Sequence, residues 1–280
     1  MLVRALFKRL ITLFVPEAFR AKRREYLALR GFRKELELRR VVQNEHASIS
    51  IKGDSNACSE AKILSDALIS TLGPETRDLN HILAIDGMSG KKYRRLINEI
   101  VSSMPNPRYL EIGSWAGSTA CAAMFGNKAK ITCVDDWSQF GGPKEEFLEN
   151  ARSALNDDIE FSFIESDFRA VNYCEIGTFD VYLFDGPHTE LDHYDGIRLV
   201  QPALSDTFIL IVDDWNWTDV RVGTLRGIGD ERIQIMFSIE ITTTPDNSTP
   251  RLVGKESDWH NGYFLCVCKK LENNSAASCG

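Results

Sequence analysis

The chain has 280 residues, with 33 basic and 40 acidic side chains and 43% hydrophobic residues, a composition that suits one large globular domain with an extension. A chain of this length buries roughly three quarters of its unfolded surface, so it needs neither disulfides nor a structural metal to hold a core; intrinsic disorder, collagen-like repetition and a disulfide scaffold are excluded. The seven cysteines are an odd number without a CxxC pair, which argues against zinc and for a reducing, cytoplasmic setting.

The charge is unevenly spread. Residues 1–42 carry 12 Lys/Arg against 4 Glu, and the remaining residues carry 21 bases against 36 acids: a basic arm on an acidic body. Within the arm, Leu2, Val3, Leu6, Phe7, Leu10, Leu13 and Phe14 recur at helical spacing until Pro16, and a second helical stretch is expected from about Glu17 to Val42. The apolar runs are too short to span a bilayer. Lys8 and Arg9 interrupt what would be a signal-peptide core, and no small-residue cleavage site follows. Two readings stand for residues 1–42: a helix lying on an anionic membrane surface, or one docking on its own domain or on a second copy of the chain. Nucleic acid is not expected as a partner, because the acidic body repels phosphate.

Residues 43–58 are polar and read as a linker. Ser59–Leu72 reads as a helix ended by Gly73-Pro74, residues 74–88 as a loop, and Ser89–Ser103 as a helix with Tyr93, Leu96, Ile97 and Ile100 on one side. After Pro107, short apolar runs alternate with helical segments. Strands are expected at Arg108–Ile112, Lys130–Asp135, Ile159–Ile164, Phe179–Asp185, Thr207–Asp213, Gln234–Ile241 and Gly262–Lys269. Helices are expected at Ser118–Phe125, Lys144–Leu155, Tyr194–Leu204 and Thr218–Ile228. This alternation predicts a parallel sheet with helices on both faces, whose ligands bind beyond the carboxyl ends of the strands where strand order reverses. Cys266 and Cys268 share a face if their segment is a strand.

Acids and glycines gather at those ends. Glu111-Ile112-Gly113-Ser114-Trp115-Ala116-Gly117 carries the chain from a strand through a glycine turn into a helix, as close approach of a ligand to backbone requires. The dinucleotide fingerprint GxGxxG fails, because Trp115 and Ser118 stand where its second and third glycines belong. Asp135 ends the second strand, where an acid can hold a ribose diol; a capping acid is the plainer alternative. Asp167, after the third, could face an adenine amino group or cap a short helix. Tyr182-Leu183-Phe184 leads into Asp185-Gly186-Pro187-His188, and Leu210-Ile211-Val212 into Asp213-Asp214-Trp215. If those strands are neighbours, three carboxylates converge and need a shared proton or a cation. All-oxygen ligation favours Mg²⁺ or a similar hard ion. His188 at the same rim could take a proton from a substrate hydroxyl.

Together EIGxxxG, DDW, DGxH and the second DDW resemble class I S-adenosylmethionine (SAM)-dependent methyltransferases, and within them the metal-dependent, macrocin-type sugar O-methyltransferases. The resemblance covers roughly residues 85–270. It implies a Rossmann-like seven-stranded sheet with helices on both faces; the helical extension at 1–42 and the linker with an accessory helix at 43–84 have no counterpart in the family, and a disordered tail is expected at 271–280. Carried over residue by residue, Glu111, Gly113, Ser114, Gly117, Asp135 and Asp167 would bind SAM. Asp185, Asp213 and Asp214 would bind the metal, Asp185 also taking part in catalysis with His188 as the base. The reaction implied is methylation of a hydroxyl on a sugar or other small polyol. Ser205-Asp206 departs from the family's Gly-Gly turn before the fifth strand. The rivals are a catechol-type methyltransferase with the same ligands, a nicotinamide dehydrogenase, and a non-catalytic module recruited to membranes by its arm; cephalosporin-hydroxylase-like proteins share much of the motif set.

Overall fold

The computed structural model describes residues 47–271. The expectations for the arm at 1–42, for residues 43–46, and for the tail beyond Leu271 lie outside them. Alternating apolar residues build the central strands. In β2 (Arg108–Ile112) Tyr109 faces one core while Leu110 and Ile112 face the other; in β5 (Phe179–Phe184) Val181 and Leu183 oppose Tyr182 and Phe184; and in β6 (Leu204–Val212) Ile209 and Ile211 oppose Phe208, Leu210 and Val212. Strands apolar on both faces must be covered on both.

The cover is helical. Helices α1 (Ser59–Leu72), α3 (Lys91–Ser103), α4 (Ser118–Met124) and α5 (Lys144–Ala154) supply Leu64, Tyr93, Leu96, Ala120 and Phe147 to one core. Helices α6 (Glu190–Arg198) and α7 (Thr218–Asp230) supply Ile197, Val220 and Ile228 to the other. The short α2 (Asn80–Leu83) adds Ile82 to the first. With β1 (Ser48–Gly53), β3 (Ala129–Asp135), β4 (Ile159–Glu165), β7 (Ile233–Thr242) and β8 (Tyr263–Lys270), the sheet order is β1-β7-β8-β6-β5-β2-β3-β4. Strands β2 to β6 run parallel, while β8 is antiparallel to β6 and β7, and β7 to β1. The chain steps outward from β2 through β3 to β4, then returns to β5 on the other side of β2. That reversal is where the topology places a ligand.

The fold class is the one expected, with an eighth strand. Residues 48–53, inside the expected linker, pair along β7 from Ser48 opposite Thr242 to Gly53 opposite Phe237. They carry only Ile49 and Ile51 as apolar residues and form a mostly exposed edge, so the partner strand rather than their own hydrophobicity makes them a strand. Helix α6 starts four residues earlier than expected because Thr189 and Asp192 form a capping box. It stops at Arg198, and the following turn, Gln201–Ala203, carries Pro202. Cys266 and Cys268 lie buried on one face of β8 with their Sγ atoms 3.4 Å apart.

Candidate functional site

Parallel pairing continues one residue beyond the strands. The Gly113 N–H donates to the Val134 carbonyl at 3.0 Å, Asp185 N–H to Ile112 at 2.9 Å, and Asp213 N–H to Phe184 at 3.2 Å. The residues following β2, β5 and β6 are thereby drawn to one rim. There a cavity of about 500 Å³ is lined by Gly113, Asp135, Asp167, Asp185, His188 and Asp214 among others.

Gly113 has φ +85°, and a Cβ on it would lie 1.8 Å from the Asp185 carbonyl oxygen; only glycine lets the two backbones meet. Gly117, also at +85°, leads into α4 against the Phe147 ring. Gly117, Ser114 and Glu111 stand behind the cavity wall rather than on it. Glu111 is fully buried and accepts hydrogen bonds from Tyr109 Oη at 2.6 Å and Thr119 Oγ1 at 3.0 Å. Burial lifts its pKa to about 7 despite those donors. It braces the loop and the first turn of α4 from below.

Asp135 has a double placement. Its Oδ2 accepts the Trp115 N–H at 2.8 Å and its Oδ1 the Trp137 N–H at 2.7 Å. Each carboxylate oxygen keeps a further lone pair, so the group can pin two loops and still receive a diol. Asp136 lines the cavity beside it, its carboxyl held low by the Ser138 hydroxyl and backbone. Asp167 caps the 3₁₀ turn Phe168–Ala170 through Arg169 N–H at 2.9 Å, the capping alternative, and also lines the cavity.

The acids after β5 and β6 converge, though not as a symmetric trio. Ligand atoms of Asp185, His188 and Asp214 all lie within 4.8 Å of one another. His188 Nε2 is 2.8 Å from Asp214 Oδ2 and 3.9 Å from Asp185 Oδ1. Asp213 is buried beside them: its Oδ1 accepts the Asp214 N–H at 2.6 Å, and its carboxyl lies against that of Asp185, close enough for the two to share a proton. Burial and the neighbouring carboxylates push the Asp213 carboxyl well up and hold Asp185 at about 6. Burial also opposes the charge on Asp214, but His188 and Asn261 keep its carboxyl low. For His188 burial works against the proton, yet Asp185 and Asp214 hold its pKa at about 10. Carboxylates this crowded need a shared proton or a cation, and the ligand atoms of Asp185, His188 and Asp214 lie close enough together to fit a hard divalent one.

Sequence reasoning missed the support of this rim. Asn261, in the β7–β8 connection, donates from Nδ2 to Asp214 Oδ1 at 2.7 Å. The adjoining His260 accepts the Gly254 N–H at Nδ1 at 2.9 Å, which fixes its remaining ring proton on Nε2. Trp217 sets its ring edge-on to His188, 5.1 Å between centroids. Trp217 follows the second DDW motif closely in the chain, whereas Asn261 and His260 lie in no recognisable motif and only the fold brings them to the acids.

A family model described as "Methyltransferase domain" matches residues 110–215, the stretch from β2 through the end of β6. The chain resembles the crystal structure of TrmN from Thermus thermophilus at 15% identity and a TM-score of 0.45, over 68% of this chain and 52% of that one. It thus spans about half of that relative. It resembles cofactor-bound Rv0187 from MTB at 15% identity and a TM-score of 0.46, over 79% and 94% of the two chains. For the S-adenosylhomocysteine (SAH)-bound Podospora anserina methyltransferase PaMTH1 the values are 14% and 0.43, over 87% and 96%. No curated protein matches the sequence. The fold is a Rossmann-like sheet with helices on both faces, and the matched residues 110–215 carry the glycine turn, Asp135 and the acids that follow β5 and β6.

Proposed function

We propose that this chain is a SAM-dependent O-methyltransferase, assisted by a divalent cation such as Mg²⁺, that methylates a hydroxyl of a sugar or other small polyol. One observation carries the reading: a single cavity joins the Gly113 turn and Asp135, on one side of the topological reversal, to Asp185, His188 and Asp214 on the other. SAM brings a methyl group on a sulfonium as electrophile, and a hard cation on the acids would hold the acceptor oxygen and lower its pKa. Asp135 would receive the ribose diol, and the Gly113 turn lets the ligand approach the backbone. Asp185 and Asp214, with Asp213 beside them, would hold the cation. With SAM and acceptor bound, His188 would take the acceptor's proton as the acceptor oxygen forms its bond to the methyl carbon and the methyl–sulfur bond breaks, releasing SAH, and it could do so only when something other than its own proton meets the charge of Asp185 and Asp214.

Transfer of labelled methyl from SAM to a panel of hydroxylated acceptors, with Mg²⁺ and after chelation, tests this. Activity on polyols that chelation abolishes supports it; equal activity after chelation removes the cation. A catechol-type acceptor is the second reading, favoured by the Trp217 indole beside His188, and the same panel separates the two. For the basic arm we propose contact with an anionic membrane surface or a second copy of the chain. Sedimentation with anionic liposomes, with and without residues 1–42, decides: salt-sensitive binding lost on truncation supports the membrane, and indifference of both proteins removes it.

A further inference from the structure

Asp214 stands at a turn that its own backbone does not favour. It follows Asp213 beyond the end of β6 with φ 56°, a conformation that residues with a Cβ rarely adopt, so neighbouring groups must hold it. Its two carboxylate oxygens have separate partners. Oδ2 faces His188 Nε2 at 2.8 Å, while Oδ1 accepts an Asn261 Nδ2–H at 2.7 Å. A carboxylate only accepts, so the amide nitrogen of Asn261 is the atom turned to it. Asn261 is itself fixed. Its carbonyl accepts the Asn216 N–H at 2.9 Å, and the next carbonyl, of Gly262, accepts the Trp215 N–H at 3.1 Å. Asn216 in turn donates from Nδ2 to Thr243 Oγ1 at 2.8 Å and accepts the Thr243 N–H at Oδ1 at 3.0 Å. The turn that carries Asp214 and the connection that carries Asn261 are thus sewn together.

Tethered through Oδ1, Asp214 offers the rim a single oxygen, Oδ2, and cannot turn to offer both. Cations differ in what they make of that. Mg²⁺ demands near-ideal octahedral geometry with oxygens at about 2.0–2.1 Å and is served by single oxygens. Ca²⁺ takes about six to eight oxygens at roughly 2.3–2.6 Å and readily accepts a carboxylate through both of its oxygens. A tether on one oxygen therefore discriminates by the size and coordination number of the ion.

We propose that Asn261 is a positioning residue that holds Asp214 to ligation through one oxygen and so makes the rim select a small octahedral cation, Mg²⁺, over Ca²⁺. The inference rests on the cation reading above. The test is paramagnetic resonance titration of the full chain with Mn²⁺, with Mg²⁺ and Ca²⁺ as the displacing ions, for wild type, N261A and N261S. Wild type is expected to bind Mg²⁺ more tightly than Ca²⁺. In N261A Mg²⁺ should bind about tenfold more weakly, the usual scale for loss of a group behind a metal ligand. Ca²⁺ should bind N261A at least as tightly as wild type, so the preference for Mg²⁺ shrinks by about tenfold or more. N261S, whose hydroxyl is too short to reach Asp214, should follow N261A, and it takes the place of N261A if the alanine variant does not fold. A merely structural loss would weaken both ions alike and leave their ratio unchanged. An unchanged ratio, or a wild type that prefers Ca²⁺, would overturn the role of Asn261 while leaving the cation reading standing. Failure of the wild type to bind any of the three ions would overturn both.

Discussion

A single methyl group at position 113 would sit 1.8 Å from the Asp185 carbonyl oxygen, and residue 113 also has φ +85°. Gly113→Ala should therefore destabilise the protein by roughly 2–4 kcal/mol and abolish SAH binding; an unchanged urea midpoint would contradict the close approach. At His188 the expectation concerns charge. With no cation bound, Asp185 and Asp214 hold the imidazolium to about pH 10. A folded pKa above the unfolded value near 6.5 means stability present below pH 6.5 and lost as the pH rises through about 10. Imidazole proton resonances should follow that titration, and Mg²⁺ should move it downward; a midpoint near 6.5 without metal would break the coupling. His188→Ala should cut turnover with little change in SAH affinity, whereas Asp135→Ala should weaken SAH and leave the cation. The motif residues Gly113, Asp135, Asp185, His188 and Asp214 were legible because strand ends fix where such residues go. Asn261 was not, because its contact with Asp214 spans 47 residues and depends on how β8 pairs with β6.

Between elements, buried titratable groups leave a signature in pH. His193 on α6 faces Thr224 on α7 at 3.3 Å, and burial lowers its pKa to about 3. The unfolded chain takes up a proton that the folded chain refuses, so this histidine costs stability as pH falls from about 6.5 toward 3, by about 1.4 kcal/mol per unit. Glu111, between β2 and α4, acts in the opposite direction. Its folded pKa of about 7 against 4.5 makes stability fall as pH rises across that window. Between about pH 4.5 and 6.5 the two contributions oppose each other, so chemical denaturation there should show stability falling with pH in His193→Gln and rising with pH in Glu111→Gln, relative to wild type; slopes identical to wild type would mean these groups are solvated. The sequence pattern located strands β2 to β8 because their apolar alternation is local. It missed β1, whose pairing with β7 is not local, and it set α6 late because the Thr189–Asp192 cap lies ahead of the apolar stripe.

At the scale of the described fold, the order β1-β7-β8-β6-β5-β2-β3-β4 puts the Gly113 turn and the acids on one edge, with Asp135 on one side of the reversal and Asp185, His188 and Asp214 on the other. The reaction assigned to the chain depends on both halves being occupied together. Sequence pattern was sufficient for the class of sheet and the position of this edge, because both follow from the alternation of strands and helices; His260 and Asn261, which also line the cavity, come from a connection without a periodic signal. The most direct measurement is calorimetric titration of the folded protein with SAH, with and without Mg²⁺, with NAD as the control ligand. Binding of SAH in the micromolar range and no binding of NAD is the predicted result. Binding of NAD alone, or of neither ligand, would contradict the assignment of this cavity to SAM.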